Sequence, residues 1–274
     1  EIGEIIQRTI AVVCEKYTPY LSLTAGRDSR ILLACAKELT NKIRFFTWDM
    51  PDETAKADIR IAKGLAKTYE LLHQVFPFLD SSEADKDQWL FRTGVAVGEI
   101  RGLSLATTIK LMDESQPYLP GLASEVGRAF YWQPGDNEKA AMSAEEVVRR
   151  LGLPQSERII AEAKKWLHDL PFTKPYDILD FAYIEQRLGC WAGVTAYGDV
   201  EGPIRIPPFS NRRIFALMLS LPYEFRQQQR LAEILIDRMW PDLLRTPFNP
   251  VTLRTKIKRR LSKTPFCWRL SRWL

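Results

Sequence analysis

The chain has 274 residues, 46% hydrophobic and 27% charged, with a formal net charge of +5. That is enough apolar material for a sizeable core in one large domain, and 11% aromatic residues without polar or repetitive tracts exclude a disordered chain. No apolar run approaches the roughly 20 residues that span a bilayer, and no internal repeat is visible.

The first residues, Glu1-Ile2-Gly3-Glu4, have neither an initiating Met nor the positive flank of a secretory signal. A cytoplasmic chain, and a fragment of something longer, is the expectation. Cys14, Cys35, Cys190 and Cys267 are far apart and form no CxxC pair, which predicts reduced thiols without structural zinc. Only His73 and His168 are present, too few for a histidine-rich metal site or a histidine-based triad.

Residues 2–16 place Ile2, Ile5, Ile6, Ile10 and Val13 at helical spacing. Tyr20–Thr24 is a short strand candidate broken by Ala25-Gly26, and a second helix follows with Ile31, Leu32, Leu33 and Cys35 as its apolar side. Ile43–Trp48 predicts a second strand, 53–69 a third helix and Leu71–Phe76 a third strand. A helical region then leads to Pro117-Tyr118-Leu119-Pro120-Gly121, the end of another strand. Strands alternating with helices predict a parallel sheet covered on both faces. Beyond about residue 140 the strand signals fade, and 143–152, 155–169, 176–193, 211–220 and 224–239 all predict helices. The expected organisation is an α/β part over 1–140 and a mostly helical part over 141–274, with a soft boundary near 135–142. From Arg254 onward Lys256, Lys258, Arg259, Arg260, Lys263, Arg269 and Arg272 stand without any acidic residue, among Phe266, Trp268, Leu270, Trp273 and Leu274. This tail predicts either an ordinary core-covering helix or a basic amphipathic one that meets an acidic membrane surface or a nucleic acid.

The most informative stretch is Leu23-Thr24-Ala25-Gly26-Arg27-Asp28-Ser29, between the first strand and the second helix. A small-residue turn there exposes backbone N–H groups at a helix N-terminus, where the dipole favours an anion such as pyrophosphate. Gly26 permits a positive φ or a close approach of phosphate. Thr24 and Ser29 offer hydroxyls, and Asp28 can hold Mg²⁺ against phosphate oxygens. No GxxxxGK[ST] loop occurs. Residues Asp28 and Ser29 are also suited to ordinary helix capping, Arg27 at the variable loop position is expected to meet solvent rather than reach a substrate carboxylate, and Asp49 and Asp52 suit either ribose contacts or capping.

The loop resembles the SGGxDS loop of PP-loop ATP pyrophosphatases, with Thr24 for Ser, Ala25 for the first Gly, and Gly26, Asp28 and Ser29 matching. The flanking pattern resembles the synthetase domain of the asparagine synthetase family. Arg30–Ala34 follows the loop as that family's helix does, Phe45–Trp48 stands at its adenosine-contacting strand, and Asp58…Ala62…Leu65-Ala66…His73 follows its D…A..(L/V)A…H pattern. The resemblance resumes at Pro120–Arg128, where that family reads SGEGADE; Gly121 and Glu125 match, while Leu122 and Ser124 stand at acidic positions. A third match covers Tyr183–Arg187 and Arg205–Asn211, the latter similar to R-x-PF-x-(D/N).

The resemblance implies an adenine-nucleotide α-hydrolase-like fold with ATP and Mg²⁺ as cofactors. Leu23, Thr24, Ala25, Gly26, Arg27, Ser29, Thr47 and Gly121 are then the nucleotide contacts, and Asp28 and Glu125 the metal ligands and catalytic carboxylates. Arg187, with Arg205 in reserve, would be the cation that steadies departing pyrophosphate; helix-surface pairing of either Arg is the competing reading. His73 is expected to be structural, and Trp132, Trp191 and Trp240 core. The implied activity is ATP-dependent amide formation: a small-molecule carboxylate becomes an acyl-adenylate, and ammonia or another amine displaces AMP. Ammonia would come from a glutaminase domain upstream or in trans. Two other readings stand beside it, a PP-loop enzyme acting on tRNA and a degenerate nucleotide-binding subunit without catalysis.

Overall fold

Four parallel strands form the sheet: β1 (Tyr20–Ser22), β2 (Arg44–Asp49), β3 (His73–Pro77) and β4 (Tyr118–Leu119), in the spatial order β3-β2-β1-β4. The computed structural model describes residues 1–51, 53–94, 106–133, 135–198 and 202–249. Tyr20 and Leu21 pair with Arg44 and Phe45 on one side and with Tyr118 and Leu119 on the other. Strands β1 to β3 step outward in one direction, and the chain then returns to lay β4 on the opposite side of β1. The strand order therefore reverses between β1 and β4, the place where parallel sheets open a crevice beyond their carboxyl ends.

Alternation along the strands gives the two faces different cores. Leu21, Phe45 and Leu119 join the large core with α1 (Ile2–Lys16), α2 (Arg27–Cys35) and α3 (Glu53–Thr68). Tyr20, Phe46 and Phe76 point the other way, into an aromatic cluster closed by Ile109 and Met112. Tyr20, Phe46 and Phe76 meet edge to face at ring centroid separations of 6.0–6.3 Å. The all-parallel sheet accompanied by helices is that of an α/β fold, as expected, and apolar side chains line both of its faces.

Helix α2 is buried from Ser29 through Cys35, all round and not on one side only, because it lies between the sheet, α1 and a late helix, Arg230–Met239. The expected helix at 176–193 is not a single α-helix. Its first part, α-helical over Pro175–Phe181, passes into a π-helical stretch over Ala182–Gly193 and returns to α-helix at Val194–Gly198. Among the described residues every named element after Arg128 is helical, and one apolar core joins Ile6, Leu21 and Phe45 to Ile214, Leu231 and Ile236. An isolated parallel bridge between Tyr118 and Arg205 extends the sheet beyond β4, with Ile206 N donating to Tyr118 O at 2.8 Å. Trp132 and Trp240 are buried as expected, whereas Trp191 is only partly so and belongs to a small cluster around Trp89.

No helix among the described residues is long and apolar enough to cross a membrane. Cys14 and Cys35 are free and buried, and Cys190 is free and exposed. Asp52 and the basic tail from 254 lie outside the described residues.

Candidate functional site

Two loops meet beyond the carboxyl ends of β1 and β4, where a crevice is expected. The first leaves β1 at Leu23, whose N–H donates to Phe46 O at 2.7 Å and whose carbonyl accepts from Thr47 Oγ1 at 2.6 Å. Its turn is held by hydroxyls: Ser29 Oγ accepts from Thr24 N at 3.2 Å and lies 2.8 Å from Thr24 Oγ1, which in turn accepts from Gly26 N at 3.0 Å. The two hydroxyls share one hydrogen between them, so the other hydrogen stays available to an incoming oxygen. Ala25 N donates to Asp58 Oδ1 at 2.8 Å, which ties the turn to α3.

Gly26 is the N-cap of α2 and has φ −72°, so the positive φ that glycine permits is not used. What it provides is room, since a Cβ there would stand 3.1 Å from Thr24 Oγ1. Neither Asp28 nor Ser29 caps α2; no side-chain cap bond is made, and Asp28 occupies the first turn. The amides of that turn have no helical carbonyl to bond, leaving donors and a positive dipole end toward the crevice.

The second loop follows β4. Gly121 presses on the start of α2 so closely that a Cβ would lie 3.0 Å from Asp28 Cβ and 3.3 Å from the backbone of Asp28 and Ser29. A 3₁₀ turn, Ser124–Arg128, then begins and ends on left-handed alanines, Ala123 at φ 75° and Ala129 at φ 53°. Such non-glycine positions cost of order 1 kcal/mol or more each and cluster where a structure must aim side chains. Here the turn aims Glu125 and Arg128 at Asp28. Arg128 Nη2 is 3.1 Å from Asp28 Oδ2 and 3.1 Å from Glu125 Oε1. The second oxygen of each carboxylate, Asp28 Oδ1 and Glu125 Oε2, is buried without a well-aligned hydrogen bond, although the Ser124 hydroxyl stands near Asp28 and the Tyr183 phenol near Glu125. Burial pushes the Asp28 carboxyl up to about 6; Arg128 opposes the rise and Glu125 adds to it.

Compared with protein-family models and with curated proteins, the chain matches none.

Of the residues singled out in the sequence, Leu23, Thr24, Ala25, Gly26, Arg27, Asp28, Ser29, Gly121 and Glu125 all lie on these two loops. Thr47 lies behind the first loop, its hydroxyl 2.9 Å from His73 Nε2; the His73 ring, its pKa lowered by burial, holds a strand position next to Thr47. Arg27 does not face solvent freely. Its guanidinium stands 5.1 Å from the centre of the Phe248 ring, and its charge reaches Asp28. Arg187 is not brought into contact with the loop. It is stacked between Phe130 and Trp191, 5.2 and 5.0 Å from their centres, and lies close to Tyr183. Burial first, and then the negative Glu125 beside it, push the Tyr183 phenol above its ordinary range. Arg187 therefore stands one aromatic side chain away from Glu125.

Three features were not anticipated. The nearest cation to the carboxylates is Arg128, the lone basic residue of Gly121–Trp132 and three residues from Glu125, the spacing at which helical side chains meet. Asp58 was part of a spacing pattern but had no assigned bond. Arg30 is fully buried: it donates to Thr246 O, Ala25 O and Pro247 O and lies 4.5 Å from the centre of the Phe248 ring. With Asn249 N donating to Ala25 O at 2.9 Å, it straps residues 246–249 to the back of the loop.

Among the described residues no three His, Cys, Asp or Glu side chains gather as a complete metal cage. Mg²⁺ does not require one, since it keeps water and takes one or two carboxylates together with substrate phosphates. Two carboxylates, each with a buried oxygen that lacks a well-aligned hydrogen bond, beside the open amides of a helix N-terminus, suit a magnesium–phosphate pair.

Proposed function

We propose that the chain binds Mg-ATP at the crevice between β1 and β4 and cleaves it to AMP and pyrophosphate while activating a carboxylate for amide formation, as the asparagine synthetase-like resemblance implies. The supporting observation is the meeting of Asp28 and Glu125, one at the end of β1 and one after β4, each with a buried oxygen that lacks a well-aligned hydrogen bond. The first-turn amides of α2 and the free hydroxyl hydrogen of the Thr24–Ser29 pair would hold the phosphates. Thr47, at the end of β2, would border the adenosine. A substrate carboxylate held in line attacks the α-phosphorus, pyrophosphate leaves as the acyl-adenylate forms, and an amine then displaces AMP. Positioning and charge neutralisation are the chain's main contributions to such a transfer. Arg128 stands nearer the carboxylates than Arg187 and is the better cation for departing pyrophosphate. Ammonia, if it is the amine, would come from a glutaminase domain upstream or in trans.

The test is pyrophosphate release from Mg-ATP by the chain and by Asp28→Ala, with ammonium and a panel of carboxylates including aspartate. Release of pyrophosphate and AMP that vanishes in the variant supports adenylation, and the responding carboxylate begins to identify the substrate. Tight ATP binding without pyrophosphate under every condition favours a nucleotide-binding subunit instead. That second reading has its own observation, the guanidinium of Arg128 already placed between the two carboxylates.

A further inference from the structure

Arg128, in the second loop, and Arg150, on the helix Ala144–Leu151 that follows it, are bonded very differently. Arg150 engages Asp136 through two nitrogens at 2.8 and 2.6 Å, Glu146 through Nε at 2.6 Å and Tyr131 O at 2.6 Å. That is how a permanent buried ion pair is built, with its donors and acceptors used. Arg128 instead reaches both carboxylates with the single nitrogen Nη2, while its Nε is buried without a partner. On the other side Asp28 Oδ1 and Glu125 Oε2 are poorly served too. An arrangement in which polar atoms of all three side chains lack a well-aligned hydrogen bond is not an optimised brace.

We infer that Arg128 is a resident counter-ion that a divalent cation displaces. In the nucleotide-free chain its guanidinium keeps Asp28 and Glu125 from repelling each other; when Mg-nucleotide arrives the metal takes the carboxylates and Arg128 turns to the phosphates. Two like-charged groups cannot share these oxygens cheaply in a site that is four-fifths buried. The exchange keeps the local charge nearly balanced in both states, and it makes metal binding without nucleotide weak. The inference rests on the proposed role of Asp28 and Glu125 as cation ligands.

The experiment is Mn²⁺ binding to the nucleotide-free chain, read from the free-Mn²⁺ resonance signal, for the parent, Arg128→Met, Arg128→Lys and the double variant Arg128→Met/Asp28→Asn. Removing the resident charge is expected to tighten Mn²⁺ binding about tenfold, whereas Lys keeps the charge and should leave it weak. Asp28→Asn in the Met background should abolish the gain. Unchanged or weaker Mn²⁺ binding by Arg128→Met, in a chain whose melting temperature matches that of the Lys variant, overturns the inference and makes Arg128 a structural brace. Should Met destabilise the chain, Lys decides alone: Mn²⁺ binding clearly tighter with Lys than in the parent overturns it too. Failure of the adenylation reading is seen separately, as absence of pyrophosphate release by the parent, and does not depend on these affinities.

Discussion

Gly121→Ala tests how closely the two loops approach each other. The added methyl carbon would stand 3.0 Å from Asp28 Cβ and 3.3 Å from both Asp28 C and Ser29 N. Favourable separations between carbon atoms are about 3.5–4.0 Å, so the partners must give by several tenths of an ångström. Two of the three atoms are backbone at the start of α2, and no flexible tip can swing aside. Over-packing of this kind costs about 1–3 kcal/mol, which in a chain of this size lowers the melting temperature by roughly 2–12 °C at about 2–4 °C per kcal/mol. The same displacement separates Asp28 from Glu125 and Arg128, so any metal or nucleotide affinity should fall with it. Gly64→Ala is the matched control. Gly64 lies on the exposed side of α3 with nothing within 4 Å of its virtual Cβ, and alanine there should stabilise the helix by about 0.5–1 kcal/mol. Thermal melts of both variants settle the matter. Equal shifts, or a Gly121→Ala chain as stable as the parent, would refute the close approach of the two loops.

Removing the Asp58 carboxylate with Asp58→Ala leaves the buried Ala25 N–H without its 2.8 Å acceptor and should cost about 1–3 kcal/mol in urea unfolding, with faster hydrogen exchange at the Ala25 amide. Protection unchanged at Ala25 would show that Asp58 does not hold the loop. Burial pushes the Cys35 thiol up to about 12, whereas Cys190 is exposed, so iodoacetamide applied to the native chain at pH 8 should label Cys190 and spare Cys35 and Cys14; labelled Cys35 in the peptide map would contradict the packing of α2. Burial raises the Asp180 carboxyl from its ordinary 3.8 to about 6 despite its contact with the buried Arg226. A carboxyl raised in the folded state binds its proton more tightly there than in the unfolded chain, so the stability it contributes falls as pH rises from about 4 to 6 and is constant above. Unfolding midpoints across that window should show a slope that becomes shallower in Asp180→Asn, the remainder coming from the equally raised Asp28; identical slopes would remove Asp180 as a cause.

The α/β part was legible because its signals are local. Isolated apolar runs broken by Ala25-Gly26 or Pro120-Gly121 mark strand ends, and parallel pairing then brings the loops after β1 and β4 to one edge. Strand order was not legible in the same way, since nothing in residues 118–119 announces a neighbour 98 residues upstream. Arg27, assigned to solvent as the variable loop position, is held by Phe248, a contact across more than two hundred residues that no periodicity reveals. Arg128 was passed over, and Arg187 chosen, for the opposite reason. Arg187 was selected by the resemblance of Tyr183–Arg187 to a family helix, but it lies on the π-helical stretch Ala182–Gly193, stacked between Phe130 and Trp191, whereas Arg128 needed only the three-residue spacing from Glu125.

The contrast between the two arginines also accounts for the strain between them. A turn bounded by left-handed Ala123 and Ala129 relaxes unless its flanks are fixed more strongly than the strain pulls. On the near side Gly121 is locked against Asp28 and Ser29 by close contact. On the far side Arg150 grips Tyr131 O two residues after Ala129, and the same guanidinium holds Asp136 and Glu146. Both anchors are rigid and well satisfied, while the Asp28–Arg128–Glu125 group they position is not. Strain held in place behind an under-bonded cluster of charges is the arrangement expected where a ligand, and not the fold, completes the bonding. Were the cluster only a structural ion pair, the cheapest solution would be a relaxed turn with Arg128 bonded as fully as Arg150, and the chain does not adopt it.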